Sequence, residues 1–411
     1  MSEQNSVERK TVRKRRVFYI PGYDPFHPRR YRELYRKESA AQADISGYEI
    51  GLKPKEGKGL YGWHVSAAID DTEIESEIQV LYWADMVKTS MDMGILPTYG
   101  VMLRTAWTYI GSGALWRLMR LRKGPVIAAL YPVGFLVLQA VLAWLAAYGL
   151  AQLMQVFVPN MLGVVLGWGF GSMFAYCILD FFRRKDNKFF AYYLMHDYAY
   201  SARTKGANPP ELETRMGEFV DRIGEALRSD VDEVLVVGHS SGAHIGVSVL
   251  ADLLRARRLP ADSPTLSFLT LGQVVPMVSF LPNAWRLRAD LTYLSQQKTP
   301  FWVDVTAPGD GCAFALCDPV SVSGVAPPEK LQPLVFSAAF TQSLSPERWA
   351  ELRWKFFRLH FQYLCAFDAP KDYDYFLITA GPMTLAKRYE GRPASKSRIE
   401  TPVNRFTSTA P

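Results

Sequence analysis

The residues best suited to chemistry are a serine and the glycines around it. Gly238-His239-Ser240-Ser241-Gly242 follows the apolar run Glu233-Val234-Leu235-Val236-Val237. It precedes Ala243 to Arg255, where Ile245, Val249, Leu250 and Leu253 recur at helical spacing. Strand, Gly-x-Ser-x-Gly and helix in that order make a nucleophile elbow, a turn so tight that the serine's backbone is strained and its neighbours must be small. Gly238 and Gly242 keep side chains out of the turn, and Gly246 continues the small face one helical turn on. The Ser240 hydroxyl then projects above the sheet, and the Ser241 N–H can face a developing oxyanion. A serine hydroxyl is a poor nucleophile at neutral pH, so it needs a base within hydrogen-bond reach and an acid to orient that base.

With this elbow the chain resembles the α/β-hydrolase superfamily, in particular its lipase- and esterase-like members. The resemblance covers Val17 to Trp83 and Leu212 to about Leu385, and leaves out an apolar block between them. It implies an α/β-hydrolase-like sheet flanked by helices, two-step acyl transfer, no cofactor or metal, and the chain order serine, acid, histidine. Of the histidines after Ser240, His244 lies on the helix behind the elbow and reads as a packing residue. His360, in Leu359-His360-Phe361-Gln362-Tyr363, falls where the family's base is expected. For the acid, Asp304 sits inside a strand between Val303 and Val305, whereas Asp310 lies just past the strand's end between two glycines. The family's acid occupies such a strand-end loop, so the resemblance implies Asp310, with Asp318 in reserve. It also places the second oxyanion N–H after an early strand, at Gly22-Tyr23. His64, His196 and Asp197 read as structural, the last two because adjacent helical residues do not face each other.

These side chains must be positioned by strands and helices of recognisable pattern. Residues 1–16 are polar and basic and read as a disordered tail, while 17–95 form the N-terminal part of the hydrolase domain. Within it, Val17 to Ile20 is a buried strand, Arg29 to Gln42 looks helical, and Trp63 to Ile69 with Glu73 to Trp83 alternate as a hairpin. Residues 96–123 mix Trp107, Trp116 and other apolar residues with Arg104, Arg117, Arg120 and Arg122, a composition suited to a membrane interface. Residues 183–390 form the C-terminal part of the domain and carry the catalytic residues. Strands are expected at Thr265 to Leu271 and Phe301 to Thr306, a lid-like loop at Leu331 to Gln342, and a helix over Arg348 to Tyr363. Residues 391–411 read as a second disordered tail.

Between the two parts, Gly124 to Leu179 contains no charged residue. The block fits two membrane spans of about 20 residues each. They run roughly from Val126 to Tyr148 and from Met161 to Leu179, with Pro159-Asn160 as the turn of a transmembrane hairpin over 124–182. Gly163, Gly167 and Gly171 form a ladder that permits close helix–helix association. Arg117, Arg120, Arg122 and Lys123 flank one end, and Arg183, Arg184, Lys185 and Lys188 the other. By the positive-inside rule both ends, and with them the catalytic domain, face the cytoplasm.

The composition agrees with such an organisation. The 411 residues are 49% hydrophobic, enough for a full core, and the net charge of +7 suits an anionic surface. No nucleic-acid-binding motif is present, and the apolar block favours membrane lipid as the partner. Val17 to Ile20 is too short for a signal-peptide core. Cys177, Cys312, Cys317 and Cys365 form no Cys-x-x-Cys and read as reduced thiols. The expected function is a membrane-bound serine hydrolase cleaving a carboxylic ester of a lipid. A catalytically silent binding module of the same fold, or an acyltransferase or thioesterase with the same triad, are the alternatives.

Overall fold

The computed structural model describes residues 11–24, 27–55, 57, 59–83, 85–86, 93–260 and 262–411. Its centre is an eight-stranded sheet in the order β2-β3-β4-β1-β5-β6-β7-β8. The strands are β1 (Lys14–Ile20), β2 (Glu49–Pro54), β3 (Gly62–Ile69), β4 (Thr72–Val80), β5 (Glu233–His239), β6 (Thr265–Leu271), β7 (Phe301–Thr306) and β8 (Leu334–Ser337). β4, β1, β5, β6, β7 and β8 run parallel, and β2 and β3 add an antiparallel edge. The β3–β4 hairpin turns at Asp70 and Asp71, both at positive φ, as a two-residue primed turn requires.

Strand β5 is buried along its whole length. Its leucine and valines point alternately to two apolar layers. Val17, Tyr19, Leu235 and Val237 enter one, packed against Tyr31 and Tyr35 of helix α1 (Arg29–Ser46). Phe18, Ile20, Val234 and Val236 enter the other, beneath helices at Pro210–Ala226, Gly242–Arg255 and Trp285–Ser295. A parallel strand covered on both faces loses polar alternation and reads as a continuous apolar run.

The segment between β4 and β5 is helical. α2 (Ile95–Gly111) and α3 (Ala114–Leu121) take the place of the single amphipathic stretch expected over 96–123. They break at Gly113, whose φ is 73°. α4 (Lys123–Phe157) and α5 (Met161–Arg184) are 35 and 24 residues long and form an antiparallel pair. Both are long and apolar enough to span a membrane, and both extend past the ends expected at Tyr148 and Leu179. The turn lies where expected, and Asn160 Oδ1 caps α5 by accepting the Gly163 N–H (3.2 Å). The Gly163, Gly167 and Gly171 ladder is spent inside the hairpin. A Cβ on Gly167 would lie 2.9 Å from Ala151 Cα, and one on Gly171 would lie 2.7 Å from Ala147 O. α6 (Ala191–Ala202) follows and packs on α2 and α4.

Several expectations need correcting. Residues 1–10 lie outside the described residues, but the basic cluster expected to belong to the 1–16 tail enters β1. Arg15 is buried and pairs with Glu233 at 2.6 Å, also donating to the carbonyls of Gly381 and Met383. The 391–411 segment is likewise held. Ile399 N–H donates to Leu316 O (2.7 Å), Asn404 Nδ2 to Ser279 O (3.0 Å) and Arg288 Nε to Ser408 O (2.7 Å). Hydrogen bonds to backbone carbonyls fix this strap, and they need no apolar periodicity that a sequence could display. The expected lid at Leu331 to Gln342 contains β8, the edge strand of the sheet beside β7. The expected helix over Arg348 to Tyr363 is divided into Pro346–Leu352, Phe356–His360 and a 3-10 turn at Gln362–Leu364.

Candidate active site

The carboxyl ends of parallel strands, where ligands of open α/β sheets bind, gather the expected residues. Ser240 follows β5, Gly22 and Tyr23 follow β1, and Asp310 follows β7. β1 and β5 are neighbours in the sheet, with Ile20 opposite Gly238, so the Gly22 loop lies beside the elbow.

Ser240 has φ = 56°, the left-handed region that a non-glycine residue rarely adopts. The turn tolerates it because its flanks are glycine. A Cβ on Gly238 would lie 2.7 Å from Gly242 O, and one on Gly242 would overlap the Ile20 carbonyl. Ser240 N–H donates to Leu271 O (2.9 Å), tying the turn to the end of β6. A Cβ on Gly22 would be 3.4 Å from Ser240 Oγ, so this loop closes directly over the hydroxyl. Its course is set by Trp83 Nε1 donating to Pro21 O (2.9 Å) and by the Tyr193 hydroxyl donating to Tyr23 O. The Ser241 N–H meets no acceptor among the described residues.

His360 and Asp310, 50 positions apart, meet at 2.7 Å through Nδ1 and Oδ2. Three further contacts hold this pair. Tyr363 donates its hydroxyl to the same Asp310 oxygen (3.0 Å) and accepts the Ala307 N–H (2.9 Å). Cys312 N–H donates to Asp310 Oδ1 (2.8 Å). His239 Nε2 bonds His360 O (3.0 Å), and the two rings lie 4.9 Å apart. Burial, helped by the neighbouring His360, lowers the His239 pKa to about 3. His239 is therefore neutral with its proton on Nε2, the tautomer that can donate to a carbonyl. Burial, with the nearby Asp310 carboxyl, raises the Tyr363 phenol well above its ordinary value and keeps it a donor.

The other acids considered do not reach His360. Asp304 is fully buried in β7, where it accepts the Thr270 hydroxyl (2.6 Å), and burial raises its pKa to about 8. Asp318 caps the turn at Pro319–Val322 through the Val320 and Ser321 N–H groups and pairs with Lys330 at 2.6 Å.

Ser240, Ser241, Gly22, Tyr23, His239 and His360 line one cavity with an empty volume of about 890 Å³, mouth included. Two residues expected to be purely structural also line it. One is His244, whose pKa burial lowers to about 4. The other is Asp197, whose pKa desolvation raises to about 8, so it offers the cavity a hydroxyl donor at neutral pH. Asp197 is not wholly sequestered from solvent, but what it exposes is cavity wall, so desolvation by the surrounding protein decides its protonation. Pro125, in the first turn of α4, lines the same cavity.

Asp310, Cys312 and His360 place their ligand atoms within 4.8 Å of one another, a spacing that could hold a cation. The donor set fits poorly. His360 Nδ1 is engaged by Asp310, and burial with the Asp310 carboxyl raises the Cys312 thiol well above its usual range, away from the thiolate that ligates metals.

Sequence reasoning missed Tyr363, the positioning role of His239, and Asp197. Tyr363 follows His360 by three positions, on the same side of a helical turn, which was an available signal. Asp197 carried none, because the α6 face that borders the cavity is decided by packing. No family model, curated protein or solved structure matches this chain, and the site is read from its own geometry.

Proposed function

We propose that the protein is a serine hydrolase of the α/β-hydrolase type. The observation that carries this reading is Ser240 at positive φ on a strand-to-helix turn, sharing one cavity with His360, whose Nδ1 is held from behind by the buried Asp310. Nδ1 of His360 is taken by Asp310, so Nε2 is the nitrogen left to face the serine. Among the described residues Ser240 Oγ makes no hydrogen bond, and such contacts often tighten only when substrate is bound. Ser240 Oγ attacks a carbonyl carbon as its proton passes to His360 Nε2. The Ser241 N–H and that of Gly22 or Tyr23 hold the oxyanion. The proton then goes to the departing alkoxide, and water, activated by the same nitrogen, releases the acid. With another acceptor in place of water, the same steps describe an acyltransferase.

The class of substrate is a carboxylic ester of a lipid. The α4–α5 hairpin supports this reading, because only 28% and 17% of its most apolar windows are buried, unlike a soluble core helix. Val165 is 63% exposed and Met173 60% exposed, among many other large apolar side chains. A membrane would cover them, with the basic flanks at Arg120 to Lys123 and Arg183 to Lys185 on the cytoplasmic side. Pro125 then brings the cavity wall to the bilayer surface.

Labelling by a fluorophosphonate tests the chemistry. Wild type should label and Ser240→Ala should not, while His360→Ala should label much more slowly. A folded wild type that never labels would leave a silent binding module as the reading. A compartment-sensitive reporter at the C-terminus tests the topology, and activity characteristic of the outside would overturn the orientation.

A further inference from the structure

A second cavity lies beside the first. It has an empty volume of about 540 Å³, mouth included, and lies between α2, α3, the first turns of α4, and α6. Ile110, Leu118, Val126, Ala129 and Val133 are among its walls, and none of its lining residues is charged. Tyr109, Tyr198 and Met277 line both cavities and so form a wall between them. The partition is latched by the Tyr109 hydroxyl donating to Met277 O (2.9 Å). The site cavity meets another neighbour at Phe357 and Phe361. That one mixes apolar residues, Leu34 and Leu352 among them, with charged ones such as Arg30, Lys37 and Glu351. An alkyl chain leaving Ser240 thus has one route free of charged residues and one that carries them.

We propose that the apolar cavity behind Tyr109 is the acyl-chain pocket, holding the hydrocarbon tail of the acyl group esterified to Ser240. The inference rests on the serine-hydrolase reading and deepens it. The tail would pass the Tyr109–Met277 partition and lie against the helix that leads into the bilayer, so a membrane lipid could deliver it without crossing water. Each methylene so sheltered favours binding about fourfold. The charged neighbour would strip water from its ion pairs to admit the same chain, which is unfavourable.

The test uses the full chain in lipid nanodiscs. A short-chain fluorophosphonate first establishes that Ser240 is reactive; if folded wild type does not label, the acyl-serine reading fails and this proposal with it. A long-chain fluorophosphonate with a terminal diazirine is then attached to Ser240 with loss of fluoride, photolysed, and mapped. Crosslinks within residues 105–133 are expected. Crosslinks confined to residues 348–365, or to lipid alone, overturn the pocket while leaving the serine chemistry standing. As a second measurement, Ala129→Trp should lower the ratio of long- to short-chain ester turnover by about tenfold or more, since it displaces several methylenes. Ile127→Trp, at an outward-facing position of the same helix that is 61% exposed, should leave that ratio alone. Equal ratios in the two variants overturn the proposal. If Ala129→Trp fails to fold, the crosslinks in wild type decide.

Discussion

The sheet domain and the α4–α5 hairpin handle polar and apolar groups in opposite ways. The sheet domain takes charges inside and pairs them. Arg15 and Glu233 have no exposed side-chain surface, and Glu233 Oε1 also accepts from Ser267 Oγ and Leu385 N–H. The hairpin turns many apolar groups outward, Trp144 and Leu153 among them, and where its two helices meet it buries Ala147 and Ala151 against Gly171 and Gly167, although Gln139 and Asp180 are buried too. In water the first arrangement stabilises a fold through burial and satisfied polar groups. In hydrocarbon, apolar surface gains nothing by burial, and close backbone packing holds helices together instead. On the membrane reading proposed above the two regions face different solvents, and the candidate site lies where they meet, in a cavity that touches both Ser240 and Pro125.

Substitutions put this contrast to the test. The largest expected effect falls on the site. Asp310→Asn should lower kcat on the order of 10⁴-fold, the loss seen in serine proteases when the acid that holds the histidine tautomer is replaced. Steady-state kinetics with an activated ester measures it, and a loss under tenfold would remove Asp310 from the triad. Next comes the buried pair. Arg15→Ala leaves Glu233 uncompensated and should destabilise the sheet domain by about 3–5 kcal/mol in denaturant unfolding. A neutral result would mean that the pair is replaceable, contrary to its network of partners.

A smaller effect is expected in the hairpin. Gly171→Leu forces a side chain against the Ala147 backbone and should cost about 1–3 kcal/mol, read as a lower melting temperature in detergent. The fluorophosphonate labelling rate should not change if the regions are as independent as the contrast implies. The smallest effect concerns Asp197. Its pKa is about 8 in the folded chain, against an ordinary value of 3.8. Between those values the unfolded chain has lost a proton that the folded chain keeps, so stability falls as pH rises through this window. Below it the contribution vanishes, and above it the penalty is complete. Asp197→Asn should therefore gain on wild type by ~1–2 kcal/mol near pH 9, the effect being reduced because the side chain is partly exposed, and by nothing near pH 3. Parallel melting curves across that range check the sign.

Much of this organisation was legible in the chain. The elbow is a local pattern, because a left-handed serine between glycines is dictated within five consecutive residues. The hairpin is legible because helices able to span a membrane are recognised by length and by lack of charge, properties a sequence displays directly. The meeting of Asp310 and His360 was reachable only through the resemblance to a known architecture. Nothing in their spacing of 50 positions selects Asp310 over Asp304 or Asp318. The structure separates the three by distance, with Asp304 turned into the sheet and Asp318 committed to a cap and to Lys330.

Residues whose role depends on distant partners could not be read this way. Arg15 reads as part of a solvated basic run, and distant partners, Glu233 218 positions away and the carbonyls of Gly381 and Met383, make it a core residue. The strap at 391–411 has the composition of a solvated tail, yet its position is fixed by the carbonyls it meets. Asp197 acquires its raised pKa, and the apolar cavity acquires its walls, from helices that converge only in the folded chain. Which residues could act and which segments could cross a lipid layer were readable without the fold, since backbone strain and hydrophobicity are local properties. Which acid meets the histidine, which charges are buried and where an uncharged cavity opens beside the site are set by folding, because each depends on a distance between residues far apart in the chain.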